Sequence, residues 1–312
     1  MADMKRYISV WAVAVLLLTV GCSREEDSLS DAGIAPGQEL TGLSFDVSEE
    51  PWNEERVRLT RGATLDDLRA ATEHAGFGLY LTSGLINLEN KQFTWDSENL
   101  RWHYGTWNSG ESKWNYETQQ LLWPKAAPTV LYAYAPYMSL PSANTSYSDG
   151  VLTFTPTLAN TTDLLWGEKA PVTDGTVRLT FRHALAKISF GTLTNRSGQT
   201  VTLTDITLTG QFYKSGNLSL ENGTWSDEAK YDPVSQTIDR SPASSLEVDN
   251  DATESIGVSE VLQIPGPEIT VTFTFDIGNV THTASATTTL TQGKHTTYYL
   301  TIQNNFEVII TQ

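Results

Sequence analysis

The sequence predicts an all-β protein. Short runs rich in Thr, Val, Ile, Tyr, Phe and Trp recur from residue 76 onward, and Gly, Asn, Asp and Pro punctuate them. A helical repeat occurs at one place only. Many short strands with almost no helix point to β-sandwiches, and the chain is long enough for two in tandem.

At the N-terminus, Lys5 and Arg6 precede an apolar run from Ile8 to Val20. A bilayer span needs roughly 20 apolar residues, so this run has the length of a signal-peptide core instead. Cys22 follows it and is the single cysteine of the chain, which excludes an internal disulfide and a cysteine metal site. The context Leu18-Thr19-Val20-Gly21-Cys22 resembles the lipobox of bacterial lipoproteins, in which the cysteine is diacylated and becomes the new N-terminus; Cys22 is thus the expected lipidation site. The Ser-Arg-Glu-Glu-Asp-Ser that follows resembles the surface-export signal of Bacteroidetes lipoproteins, and residues 23–40 read as a polar tether that cannot bury a core. The formal charge is −17. This acidity argues against nucleic acid and against anionic lipid as partners.

Leu40-Thr-Gly-Leu43-Ser-Phe45-Asp-Val47 reads as one strand, with Leu43, Phe45 and Val47 pointing inward at period two. Arg56-Val-Arg58-Leu-Thr-Arg61 then places three arginines within six residues of an acidic chain. An exposed linker of this kind suits an arginine-specific protease, and a basic patch balancing nearby acids is the alternative. Thr64-Leu65-Asp66-Asp67 forms a capping box, and Leu65, Leu68, Ala71 and Ala75 follow at helical spacing. A helix over about 65–75 is expected, closed by Gly76 in a left-handed cap.

Strands are expected at Phe77–Leu81, Thr129–Tyr134, Val151–Phe154, Val177–Phe181, Lys187–Phe190, Thr200–Thr209, Glu268–Phe275, Thr281–Leu290 and Thr297–Ile302. Residues 201–209 alternate apolar with Thr or Asp almost without error, as a half-buried strand does. Asn222-Gly223 reads as a type I′ hairpin turn. Residues 169–175 hold Pro, Asp and Gly and read as the joint between two sandwiches, while 226–257 read as a long loop or weak insertion.

Catalytic patterns are lacking. The five histidines, His74, His103, His183, His282 and His295, show no metal-pair spacing, and there is no G-x-S-x-G elbow or phosphate loop. The acidic pairs, Glu49-Glu50 among them, fall where solvation or helix capping explains them. No enzyme, cofactor or metal is expected; the Asp- and Asn-rich loop 249–251 is the one place offering calcium hard oxygen ligands. Five of the nine tryptophans (Trp95, Trp102, Trp107, Trp114 and Trp123) lie between residues 95 and 123. They suit core filling and strand clamping, with a glycan-stacking platform as the alternative.

In order along the chain, these motifs resemble the fimbrillins, the fimbrillin-like lipoproteins of Bacteroidetes whose filaments are called type V pili. The lipobox cysteine, Leu59-Thr-Arg61-Gly62, Gly76-Phe77-Gly78-Leu79-Tyr80, Trp114-Asn-Tyr116 and Leu122-Trp123-Pro124 come first. Leu131-Tyr-Ala-Tyr-Ala-Pro-Tyr137, Thr162-Asp163-Leu164-Leu165, Leu179-Thr-Phe-Arg-His183-Ala-Leu-Ala-Lys187-Ile-Ser-Phe190, Leu262-Gln-Ile-Pro265 and Gln292-Gly293-Lys294 complete the set. The resemblance implies two transthyretin-like β-sandwich domains in tandem with one short helix. The expected divisions are 1–21 leader, 22–61 lipidated tether and removable strand, 62–175 first sandwich and 176–312 second sandwich. It further implies a subunit of a cell-surface fimbria at the outer membrane, acting in adhesion to a host or bacterial surface ligand. An arginine-specific protease would cut after Arg61, or after Arg58, and release the N-terminal strand. A donor strand from another fimbrial subunit would then fill the groove. Phe306, Val308, Ile309 and Ile310 would supply this chain's own donor strand. The competing reading is a monomeric surface lipoprotein that binds glycans through its aromatic residues.

Overall fold

The structure, a computed structural model, describes residues 40–54, 65–83, 87–117, 122–124, 129–158, 161–169 and 175–312. Along the first half run β1 (Leu40–Gly42), β2 (Ser44–Glu49), β3 (Asn53–Glu54), α1 (Leu65–Leu68), β4 (Phe77–Ser83), β5 (Asn87–Asp96), β6 (Arg101–Asn108), β7 (Lys113–Tyr116), β8 (Leu122–Pro124), β9 (Thr129–Ala135), β10 (Thr145–Ser148) and β11 (Val151–Phe154). There follow β12 (Leu165–Lys169), β13 (Thr176–His183), β14 (Ala186–Asn195), β15 (Val201–Ser219), β16 (Trp225–Asp239), β17 (Leu246–Val248), β18 (Thr253–Ser255), β19 (Val261–Gln263), β20 (Glu268–Ile277), β21 (Val280–Thr289), β22 (Lys294–Ile302) and β23 (Val308–Thr311). The chain is all-β, as its sequence predicts. No helix among the described residues is long and apolar enough to cross a membrane.

An eight-stranded sheet takes the order β2-β13-β12-β9-β4-β5-β6-β7. It curls on itself: Phe45 of β2 meets Phe93 of β5 edge-on at 4.8 Å, although four strands separate them in the sheet. The concave face holds one apolar core, with Phe77, Phe93, Leu131, Leu179 and Phe181 at its centre and Leu68 of α1 closing it. A second core lies between the six-stranded sheet built on β14 and β22 and the seven-stranded sheet built on β15 and β20. There Phe190 and Tyr298 from one side meet Phe273 from the other at 6.0 Å. A third cluster joins the two regions: Tyr134 and Trp166 from the eight-stranded sheet pack with Leu152, Phe154 and Leu218 from the seven-stranded sheet.

Several expectations change in physical detail. The helix spans one turn, Leu65–Leu68, rather than 65–75. Beyond Leu68 its apolar face would be alanine alone, and Ala71 is exposed; so little buried area does not offset the cost of a short helix. Gly76 does adopt the left-handed conformation, at φ +83°, and a Cβ there would fall onto the Phe93 carbonyl oxygen. Residues 226–239 are not a loop but most of β16, paired antiparallel with β15 through three register shifts. Only Ile238 of β16 is buried, so no alternation marks it. The hairpin at Asn222-Gly223 exists, but only Gly223 has positive φ, so its turn is not type I′. The alternation of residues 201–209 breaks between Leu203 and Ile206, and a bulge against β20 absorbs the extra residue. β13 pairs with β12 in the eight-stranded sheet, while β10 and β11 join β15.

Candidate functional site

The N-terminal stretch of residues 43–54 is laid on as an edge strand across both regions. β2 runs parallel to the edge of β13, in register from Ser44 opposite Thr176 to Glu49 opposite Phe181. Backbone hydrogen bonds fix its ends: Ser44 N–H donates to the Gly175 carbonyl at 3.0 Å, and Glu50 N–H to the Phe181 carbonyl at 2.8 Å. Period two then sorts the side chains. Leu43 and Val47 are buried and Phe45 packs beside them in the concave core. Outward, Ser44 pairs with Thr176 at 3.0 Å and Ser48 with Thr180 at 3.2 Å. Asp46 faces Arg178 at 3.8 Å, and Glu50 pairs with Arg182. These outward pairs are exposed and contribute little; the inserted apolar row holds the strand.

Past β2 the chain crosses the junction of the two regions. Trp52 is 8% exposed and its ring stacks on His183 at 3.9 Å, with an interplanar angle of 19°. β3 follows and pairs parallel with Lys294 and His295 at the start of β22, where Asn53 N–H donates to the Gly293 carbonyl at 2.9 Å. Beneath the indole lie the Lys187 ammonium, 5.7 Å from the ring centre, and the His295 ring at 6.3 Å. Lys187 is paired with Glu260 at 2.9 Å, and His295 is bonded to Ser189 at 2.7 Å. A cleft of about 310 Å³ opens alongside, lined by Glu50, Trp166, Arg182 and Gln292 among others.

His183 is the electrostatic centre of this junction. Its side chain is 1% exposed; Nδ1 meets Asp163 at 2.9 Å, and Nε2 faces Glu49 at 3.4 Å, long for a hydrogen bond but within reach of an ion pair. Burial alone lowers its pKa, yet the hydrogen bond to Asp163 and the close approach of Glu49, with the charges of both carboxylates, outweigh it, so the net shift is upward from 6.5. A raised pKa contributes stability that is fully present below 6.5 and is lost as pH rises through the folded-state value. The melting-temperature advantage of wild type over His183→Gln should therefore be largest near about pH 6 and shrink toward alkaline pH. An advantage constant across that range would show that His183 stays neutral here. Glu49, expected as a solvated acid, is instead 14% exposed at its side chain and held by this histidine.

The other sites predicted from sequence fall elsewhere. Cys22, Arg56, Arg58 and Arg61 lie outside the described residues, as does Thr64 of the capping box. Val308, Ile309 and Ile310 lie in β23, which pairs antiparallel with β22 of its own chain, while Phe306 sits two residues ahead of that strand at φ +63°. Val308 and Ile310 lean on the core, whereas Ile309 is 42% exposed. β3 and β23 share one edge of β22, since β14 occupies the other. Trp102 is buried, and Trp107 and Trp114 face each other across β6 and β7 at 5.6 Å. Trp114 Nε1 donates to the Thr72 carbonyl at 3.2 Å, and Arg69 stacks over Trp95 at 4.5 Å. These aromatics clamp the sheet edge to the segment after α1. In loop 249–251, Asp249 accepts from Thr200 at 3.3 Å and Asn250 from the Gly198 amide at 2.7 Å, so both serve turns. No group of three or more His, Cys, Asp or Glu among the described residues is arranged to hold a metal ion.

Trp52 is the residue that sequence reasoning missed. Its one signal is isolation, a single aromatic behind Pro51 between two acidic pairs and ahead of the arginine tract.

A family model described as fimbrillin-like matches residues 69–312. Among solved structures the chain is similar to a candidate cell adhesion protein from Bacteroides ovatus, at 13% identity and a TM-score of 0.50, covering 88% of this chain and 97% of that one. It is also similar to one from Bacteroides uniformis, at 16% identity and a TM-score of 0.45, covering 89% and 98% respectively. Identities this low speak to fold alone. No curated protein matches the chain.

Proposed function

Because the chain belongs to the fimbrillin-like family, we propose that it is a structural subunit of a cell-surface fimbria, assembled by protease-triggered donor-strand exchange and acting in adhesion. The observation that carries this reading is the way β2 is held. It is an edge strand; with Leu43 just ahead of it, it inserts Phe45 and Val47 into a core whose other described members all lie beyond position 64, and it is joined to that core through the segment bearing Arg56, Arg58 and Arg61. Cutting after Arg61, or after Arg58, detaches the strand covalently and leaves it held by its noncovalent contacts alone. A sheet edge stripped of such a strand exposes backbone donors and acceptors together with apolar sockets, which a strand from a neighbouring subunit satisfies at once. β23, an edge strand with Val308 and Ile310 turned inward, is the segment this chain would lend to a neighbour.

Before cleavage the protein travels as a lipoprotein anchored to the outer membrane through Cys22, and the body after residue 61 folds as two tandem sandwich units. Cys22→Ser should abolish labelling by radioactive palmitate and release the precursor from membranes; a variant still labelled would remove the anchor from this scheme. Its partners are other fimbrial subunits and an arginine-specific protease, and it has no catalytic role of its own. Low-dose trypsin on purified precursor should first remove the residues before Arg61 and then yield ladders on an unboiled denaturing gel. Cleavage without ladders, leaving a stable monomer, would favour the glycan-binding lipoprotein instead.

A further inference from the structure

We propose that the groove under residues 43–54 selects its occupant by an aromatic ring, and that the strand replacing this segment in a filament is an extended strand of another subunit carrying that ring five residues after its last buried apolar side chain. This rests on the exchange reading above and adds which strands can enter. The chain's own segment is the template: Leu43, Phe45 and Val47 alternate inward, Glu49 and Glu50 meet His183 and Arg182, and Trp52 ends the run on the junction.

The three apolar positions discriminate poorly, because any aliphatic or aromatic side chain of similar volume gains comparable burial. The Trp52 position is different in kind. Its floor is the face of His183, flanked by the Lys187 ammonium at 5.7 Å and the His295 ring at 6.3 Å. The stacked imidazole of His183 and the ammonium of Lys187 near the ring favour a π face, through stacking and cation–π attraction, over an aliphatic side chain of equal area. The indole N–H of Trp52 is buried with no hydrogen-bond partner among the described residues. The socket therefore reads the ring face and not the N–H, so Phe should serve nearly as well as Trp. Val308 and Ile310 of β23, with Phe306 two residues ahead of that strand, repeat the apolar spacing of Leu43, Phe45 and Val47, but Gln312 stands where Glu49 would.

The test uses the full chain with a site-specific protease sequence inserted between residues 55 and 64, cut in place. A labelled peptide of residues 42–54 is then added, and its entry is followed by fluorescence anisotropy while mass spectrometry follows loss of the original piece. The peptide with Trp should enter, the peptide with Phe at position 52 should enter within about 5-fold, and the one with Ala should bind roughly 100-fold more weakly or worse. Equal entry of the Ala or Leu peptide, or of a peptide of residues 306–312, would overturn the aromatic requirement while leaving exchange intact. If no peptide displaces the piece, whatever its residue at position 52, the exchange reading itself fails and this inference falls with it.

Discussion

Val47→Asp is expected to lift residues 43–54 off the eight-stranded sheet while the remainder stays folded. Val47 is 6% exposed and sits in the concave core, opposite Leu179. The substitution removes one apolar side chain, worth about 1.5–3 kcal/mol, and leaves a carboxylate without a partner in a buried site, a penalty of about 3–5 kcal/mol. Burial of Leu43, Phe45 and Val47 together amounts to only about 5–8 kcal/mol. The change therefore cancels most of what holds the segment. Hydrogen exchange should speed up by roughly 100-fold or more at the Ser44 and Glu50 amides, which donate to Gly175 and Phe181. Amides of the β20–β21 pair, which belong to the other core, should keep their protection. Unchanged exchange at Ser44 and Glu50 would mean that backbone pairing and Trp52 hold the strand without the apolar row. Loss of protection everywhere would mean that the strand is integral to the fold.

The second large effect is expected from changing Arg56, Arg58 and Arg61 together to Ala. The three residues supply every arginine between the docked strand and α1, so the variant should accumulate as full-length precursor and form no filaments. Its melting temperature should match wild type, because the docked segment is left intact. Filaments at wild-type abundance from this variant would reduce the tract to a basic patch. After normal cleavage the strand is still held by its buried side chains, so release should be slow and the exchanged product kinetically durable.

The strand pattern of this protein is open to reading because burial and period two coincide in most of its elements. β11, β13 and β20 carry alternating burial that their residues announce. The inward set of β2 is equally legible, since Leu43, Phe45 and Val47 follow the same rule. What the sequence does not reveal is the partner. β2 pairs with β13, 132 residues away, and in parallel rather than as a hairpin, and alternation says which side chains point inward without saying against which strand. β16 escapes notice for the opposite reason: it pairs with β15 yet buries only Ile238, so it carries no apolar rhythm. The junction escapes as well. Glu49 with Trp52, Asp163 and His183 come from three separate stretches, and each residue taken singly reads as a solvated acid, an ordinary histidine or a core aromatic.

That residues 43–54 are a removable occupant of their groove is tested most directly by the intact mass of this subunit isolated from filaments. The expected mass is that of a chain beginning at Gly62, with a minor species beginning at Leu59. A mass that retains residues 43–54 covalently in assembled filaments would contradict it.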